Sequence, residues 1–280
     1  MTGGRVVASG VTLALVVWRL GAGPFLDGLR TVDARALAAG AALVAATTVC
    51  SAWRWTIVAR GLGVELSLRS AVAAYYRALF LNVTLPGGVV GDVHRGISHG
   101  RDVNDVSRGL RAVAWERFAG QVVQVALTVI VLLALPSPAR SVMPLVAIGL
   151  VTALACIALV ARARRGAAGI AYARFLSTAT SDVRRALLER RACPRIALAS
   201  AVAVCGHALA FLVAARTAGV TAPPSRVLPL ALLVILVMVV PSVGGWGPRE
   251  GATAWAFGAA GLGAGRGVTT AVVYGVMVLV

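Results

Sequence analysis

The sequence predicts an all-α, polytopic integral membrane bundle with two interrupted or re-entrant helices, and three observations predict it. Of the 280 residues, 59% are hydrophobic and 13% charged, with a mean hydropathy of +0.87, too little polar material to clothe a soluble globule. Apolar stretches approaching the roughly 20 residues that cross a bilayer recur along the chain. Two Pro- and Gly-rich polar runs, 85–95 and 241–250, interrupt that apolar background. Irregular backbone at membrane depth must be shielded by protein or line a cavity, so these two runs are where function is expected.

The net charge of +17 comes entirely from arginine, since no lysine occurs. The arginines sit between apolar segments and not in one basic domain, a pattern that sets topology and holds anionic lipid and excludes nucleic-acid binding. Four cysteines, Cys50, Cys156, Cys193 and Cys205, form no CxxC pair and no metal-ligand spacing. No metal site and no cofactor is expected.

In chain order, the first span is 6–21, a stretch flanked by Arg5 that resembles a signal peptide but lacks an Ala-x-Ala cleavage site. The second is 34–58, where Arg54 between Trp53 and Trp55 reads as an interfacial anchor. Segment 66–85 is helical in pattern yet carries Arg69, Tyr75, Tyr76, Arg77 and Asn82, and is read as re-entrant. In the run that follows, Pro86 stops the helix, Gly87, Gly88 and Gly91 let backbone approach backbone or a ligand, and Asp92 is expected to cap a new short helix. Asp92 and Arg95 are then i, i+3 neighbours, with His99 four residues on.

Span 113–135 follows. At about 100° per residue, Arg117, Gln121, Gln124 and Thr128 share one face, with Glu116 set off from it. Ionisable groups at membrane depth are functional candidates by default, although a network of interhelical hydrogen bonds would give the same stripe. After span 142–160, the connection 161–195 holds nine arginines against Asp182 and Glu189. The positive-inside rule makes it cytoplasmic, and within it 174–191 is either an inner-leaflet amphipathic helix or a solvated linker.

Spans 196–215 and 227–240 come next. His207 lies beside the small-residue spacing Gly206, Ala210, Ala214 and is expected to make an interhelical hydrogen bond. In the second broken run Gly244, Gly245 and Gly247 precede Pro248 at a helix start, with Arg249 on another face and Glu250 at the positive end of the helix dipole. Spans 250–262 and 268–280 close the chain. The last is short for a bilayer, so it is either clipped or ends within the bundle. No nucleophile, base and orienting group stand at a recognisable enzyme spacing.

These residues also resemble a family. Asn82 with Leu85-Pro86-Gly87-Gly88, then Gly91-Asp92 and Arg95, Glu116-Arg117, and Pro241 with Gly244-Gly245, Gly247 and Arg249-Glu250 resemble the signature of the lysylphosphatidylglycerol synthase transmembrane family, also called flippase-like or UPF0104 proteins; Arg54-Trp55 fits it too. The resemblance covers nearly the whole of 1–280 as one transmembrane domain. It implies a multi-pass protein of the cell (inner) membrane that handles an anionic phospholipid or a lipid-linked glycan, with a glycosyltransferase or a second copy of the chain as the protein partners it allows. Lipid aminoacylation is not expected, because no soluble aminoacyltransferase domain follows.

On this reading Arg95, Arg117 and Arg249 hold phosphate. Asp92, Glu116 and Glu250 orient those arginines or bind a substrate amine, and Gln121 and Gln124 line the headgroup path. Two alternatives stay open, a membrane-embedded transferase using Asp92 or Glu116 as base on a polyprenyl-phosphate or phospholipid, and a non-transporting scaffold for a glycosyltransferase. The amino terminus is expected on the cytoplasmic side.

Overall fold

Caps, glycines and prolines decide where each apolar stretch becomes a helix. The computed structural model describes residues 2–85, 89–135, 137, 169–238 and 246–279. Helix α1 (Thr2–Leu20) ends at Gly21, whose φ of 75° is the left-handed conformation glycine adopts after a helix, and Pro24 sits in the first turn of α2 (Gly23–Thr31). The two meet at 97°, so the first expected span continues into a bent second helix that the apolar pattern does not reveal.

Side-chain caps start the next helices. Asp33 accepts from the Ala36 amide at the start of α3 (Ala34–Gly61), Ser67 from Ser70 at α4 (Leu68–Thr84), and Asp105 from Arg108 at α6 (Val106–Ala134). Between the last two lies α5 (Val90–Asp102). Beyond them are α7 (Gly169–Asp182), continued by a π-helical turn Val183–Leu187, then α8 (Ala192–Thr217), α9 (Pro224–Val237), α10 (Pro248–Ala259) and α11 (Ala264–Leu279).

Among the described residues, α3, α6 and α8 are long and apolar enough to cross a membrane, and the bent α1–α2 pair is a fourth candidate. This is a polytopic helical membrane protein. The expected span 142–160 and the start of the arginine-rich connection lie outside the described residues.

Contacts along the three long helices order the rest. Helix α8 runs antiparallel to α3, since Arg54 reaches Ser200 while Thr47 packs against Gly206. At one end of this core, Gly61 closes α3 against Ala186 of the π-turn, and Arg111 and Trp115 of α6 bond to Asp182. Thus α3 ends and α6 begins at the same, arginine-rich end. Helices α4 and α5 between them must enter the bundle and return, so they form a re-entrant hairpin.

A second hairpin enters from the other end. Helix α9 starts in a buried cluster with Ala214, Ala215 and Val220, and by Leu232 and Ile235 it has reached Val204 and Ala208, halfway along α8. Helix α10 begins at depth and climbs back until Phe257 meets Phe211. At 14 and 12 residues, α9 and α10 are about 21 and 18 Å long, too short for a core of roughly 30 Å. The expected separate spans 227–240 and 250–262 are therefore the two arms of one hairpin. The expected hydrogen bond at His207 is present, between Nδ1 and the Tyr274 hydroxyl at 3.2 Å.

Candidate functional site

The inner end of the first hairpin is assembled from four helices around a fully buried carboxylate. Glu116 on α6 is gripped by Arg54 of α3, whose Nε donates to Oε1 at 2.9 Å and whose Nη2 forms an ion pair with the same oxygen. Arg95 of α5 donates from Nη2 to Oε2 at 2.6 Å, and the Tyr75 hydroxyl of α4 donates to Oε1 at 2.7 Å. Arg54 also donates to Ser200 Oγ at 3.1 Å, which ties the cluster to α8.

Asp92 forms the second anionic point. Arg95 Nε donates to its Oδ1 at 3.0 Å and Arg117 Nη2 to its Oδ2 at 2.5 Å. Asp92 stands in the first turn of α5 and caps nothing with its side chain, contrary to the expected N-cap. Asn82, near the end of α4, takes that task by accepting from the Gly91 amide at 2.8 Å. The arms touch at Gly91, where any β-carbon would run into the backbone of Ala78.

Three guanidinium groups here face two carboxylates, leaving one positive charge in excess. Arg95 lies over the rings of both Trp55 and Tyr75, 4.6 and 4.1 Å from their centroids, a geometry that favours a cation. Its Nη1 has no hydrogen-bond partner among the described residues. Arg117 differs in being open: its side chain is 45% exposed against 1% for Arg95.

Two expectations are corrected on these helices. The buried face of α6 carries Glu116, Gln124 and Thr128, whereas Arg117 is exposed and Gln121 half-buried. The helical wheel assigned Arg117 to the interior and Glu116 away from it; packing against α3 and α4 turned the helix so that the shorter acid faces inward. Arg54 is not an interfacial anchor but a buried ligand of Glu116, and Trp55 beside it is fully buried.

The second hairpin holds a smaller pair. Gly247, at φ 97°, takes a conformation that disfavours other residues, and Pro248 opens α10 as expected. Glu250 Oε2 accepts the Gly247 amide at 2.7 Å, while Oε1 accepts from Arg249 Nε at 2.8 Å. Arg249 thus folds onto its neighbour and not toward another face; its guanidinium stacks over Trp246 at 4.9 Å and leaves no room for a β-carbon at Gly275.

The structure therefore brings Asn82, Gly91, Asp92, Arg95, Glu116 and Arg117 together with Arg54 and Tyr75. Gly247, Arg249 and Glu250 form a separate group, and among the described residues no ion pair joins the two. Pro86, Gly87, Gly88, Gly244 and Gly245 lie outside the described residues.

Arg54 had a signal in the sequence. It is an arginine well inside an apolar segment, in a chain with only ten acids, so it demanded one of the few acids at membrane depth.

A family model described as "Lysylphosphatidylglycerol synthase TM region" matches residues 4–280. No curated protein and no solved structure matches the chain.

Proposed function

The chain belongs to the lysylphosphatidylglycerol synthase transmembrane family, and from that premise we propose that it binds the phosphate of an anionic phospholipid or lipid-linked glycan and carries the headgroup between leaflets. The observation that carries the reading is the excess positive charge at the inner end of the α4–α5 hairpin. Arg117 is exposed there, and the buried Nη1 of Arg95 has no hydrogen-bond partner among the described residues. Glu116 and Asp92 hold these guanidiniums in place before a ligand arrives, so little ordering is left for binding to accomplish. Two half-length hairpins entering from opposite ends are the arrangement in which rocking of one against the other exposes a central site alternately.

The transferase alternative fits less well. Both oxygens of Glu116 and both of Asp92 already accept hydrogen bonds from arginine, so neither carboxylate is placed to take a proton from a substrate hydroxyl. Following the positive-inside rule, we assign the end carrying α7 and the π-turn to the cytoplasm.

The test is leaflet exchange in liposomes holding the purified chain and a fluorescent anionic lipid, with no group donor present. Accelerated exchange supports translocation. Unchanged exchange, together with a chemically altered lipid once a donor is added, would replace it with the transferase.

A further inference from the structure

A third basic group lies apart from both hairpins. Where α3 ends, Gly61 packs so closely on the π-turn that a β-carbon there would fall 2.6 Å from Ala186 Cα. This approach draws Arg60 beside Arg184 and Arg185 at the rim of a cleft of about 870 Å³, which Ser177, Ser181 and Glu189 also line. That volume falls within the range of small-ligand sites.

The three arginines differ from those of the interior. Arg54, Arg95, Arg117 and Arg249 each hold a carboxylate, whereas Arg60, Arg184 and Arg185 have no ion-pair partner among the described residues. Attraction to the negative end of α3 accounts for Arg60 but not for Arg184 and Arg185, which lie on a π-turn, an irregularity common at functional sites. Glu189 offsets one charge of the three. Exposed Leu176 and Leu188 flank the same segment, as in a surface that meets acyl chains beside a headgroup.

We propose that this cleft binds a phosphate group at the arginine-rich face of the protein, as the phosphodiester of an anionic lipid or as a soluble phosphate ester, in a site separate from the Glu116 cluster. The guanidiniums supply charge-assisted hydrogen bonds to the phosphate oxygens, and the serine hydroxyls lie on the same wall.

The experiment uses the full chain in detergent and in phosphatidylcholine nanodiscs, with phosphatidylglycerol and glycerol 3-phosphate as the two probes. Thermal stabilisation by each probe is measured for the native chain, for Arg184→Gln with Arg185→Gln, and for the same pair changed to Lys. The expected result is stabilisation of the native chain by phosphatidylglycerol, about tenfold weaker apparent affinity in the Gln pair, and retention of most of it in the Lys pair, which keeps the charge. Stabilisation by glycerol 3-phosphate with the same dependence on the variants supports the site with a soluble ligand. Equal response of all three chains to both probes, or no response, overturns the proposal. Because the cleft arginines are exposed, the Gln pair folds; if it does not, Arg60→Gln is measured against the same probes with the same expected loss.

Discussion

The two re-entrant hairpins solve the same physical problem, charge at membrane depth, in opposite ways. In the α4–α5 hairpin the charges are satisfied across the fold: Glu116 joins α3, α4, α5 and α6, and Arg54 extends the tie to α8. In the α9–α10 hairpin they are satisfied at home, by adjacent residues Arg249 and Glu250 and a backbone amide three residues back. The first is left with a net charge and an exposed arginine; the second is neutral and closed over by Trp246 and Gly275. A network that links five helices ties the bundle together, while a local pair completes its own helix end. On the function proposed above, this difference puts the ligand at the first hairpin and leaves the second a packing role.

The comparison breaks first at Glu116. Glu116→Gln strands Arg54 and Arg95 in the interior, and removing one partner of a buried pair costs about 3–5 kcal/mol. Thermal unfolding in detergent should show the largest loss of any single change, and Arg54→Gln added to it should recover only part, because Arg95 remains stranded. Full recovery by that one addition would make the network a simple pair.

Glu250→Gln is expected next, at the lower end of the same range or about 3 kcal/mol, since the glutamine oxygen still accepts the Gly247 amide. Here Arg249→Met should restore most of the stability, because among the described residues no third charged group depends on the pair. A double-mutant cycle measures this coupling, and an uncoupled result would remove the contrast between the hairpins.

Tyr75→Phe takes one hydrogen bond from Glu116 and should cost roughly 1.5–3 kcal/mol as a bond to a charged group. The same thermal measurement, compared with Tyr76→Phe on the exposed side of α4, separates that bond from general loss of hydroxyls.

The smallest stability effect is expected at Arg117. Its pair with Asp92 is half open, so Arg117→Gln should change stability by about 1 kcal/mol or less, yet lower the affinity for anionic lipid and slow leaflet exchange. Unchanged exchange with normal folding would remove Arg117 from the ligand site and leave the first hairpin a structural network.

Much of this was legible before the fold. The apolar background with its arginine flanks marked the class, and the two Pro- and Gly-rich runs fall where α4 has ended before α5 and α9 before α10, as expected of residues that disfavour a continuing helix. Pro248 at a helix start and the re-entrant reading of 66–85 followed from the same local rules. The family signature placed Asn82, Asp92, Arg95, Glu116 and Arg249 among the residues of interest.

What the sequence could not decide was who faces whom. A helical wheel gives angles within one helix, not the rotation of that helix against its neighbours, so it set Arg117 inward and Glu116 aside. Only the packing of α3, α4 and α5 against α6 reversed them. Arg54 and Glu116 are 62 residues apart, and nothing local says that an arginine beside two tryptophans is a buried ligand and not an interfacial anchor. Whether 227–240 and 250–262 crossed or turned back was likewise settled by Phe257 returning to Phe211. Secondary structure here is dictated by nearest neighbours and the bilayer, whereas the pairing of scarce buried charges is a long-range choice made when the helices assemble.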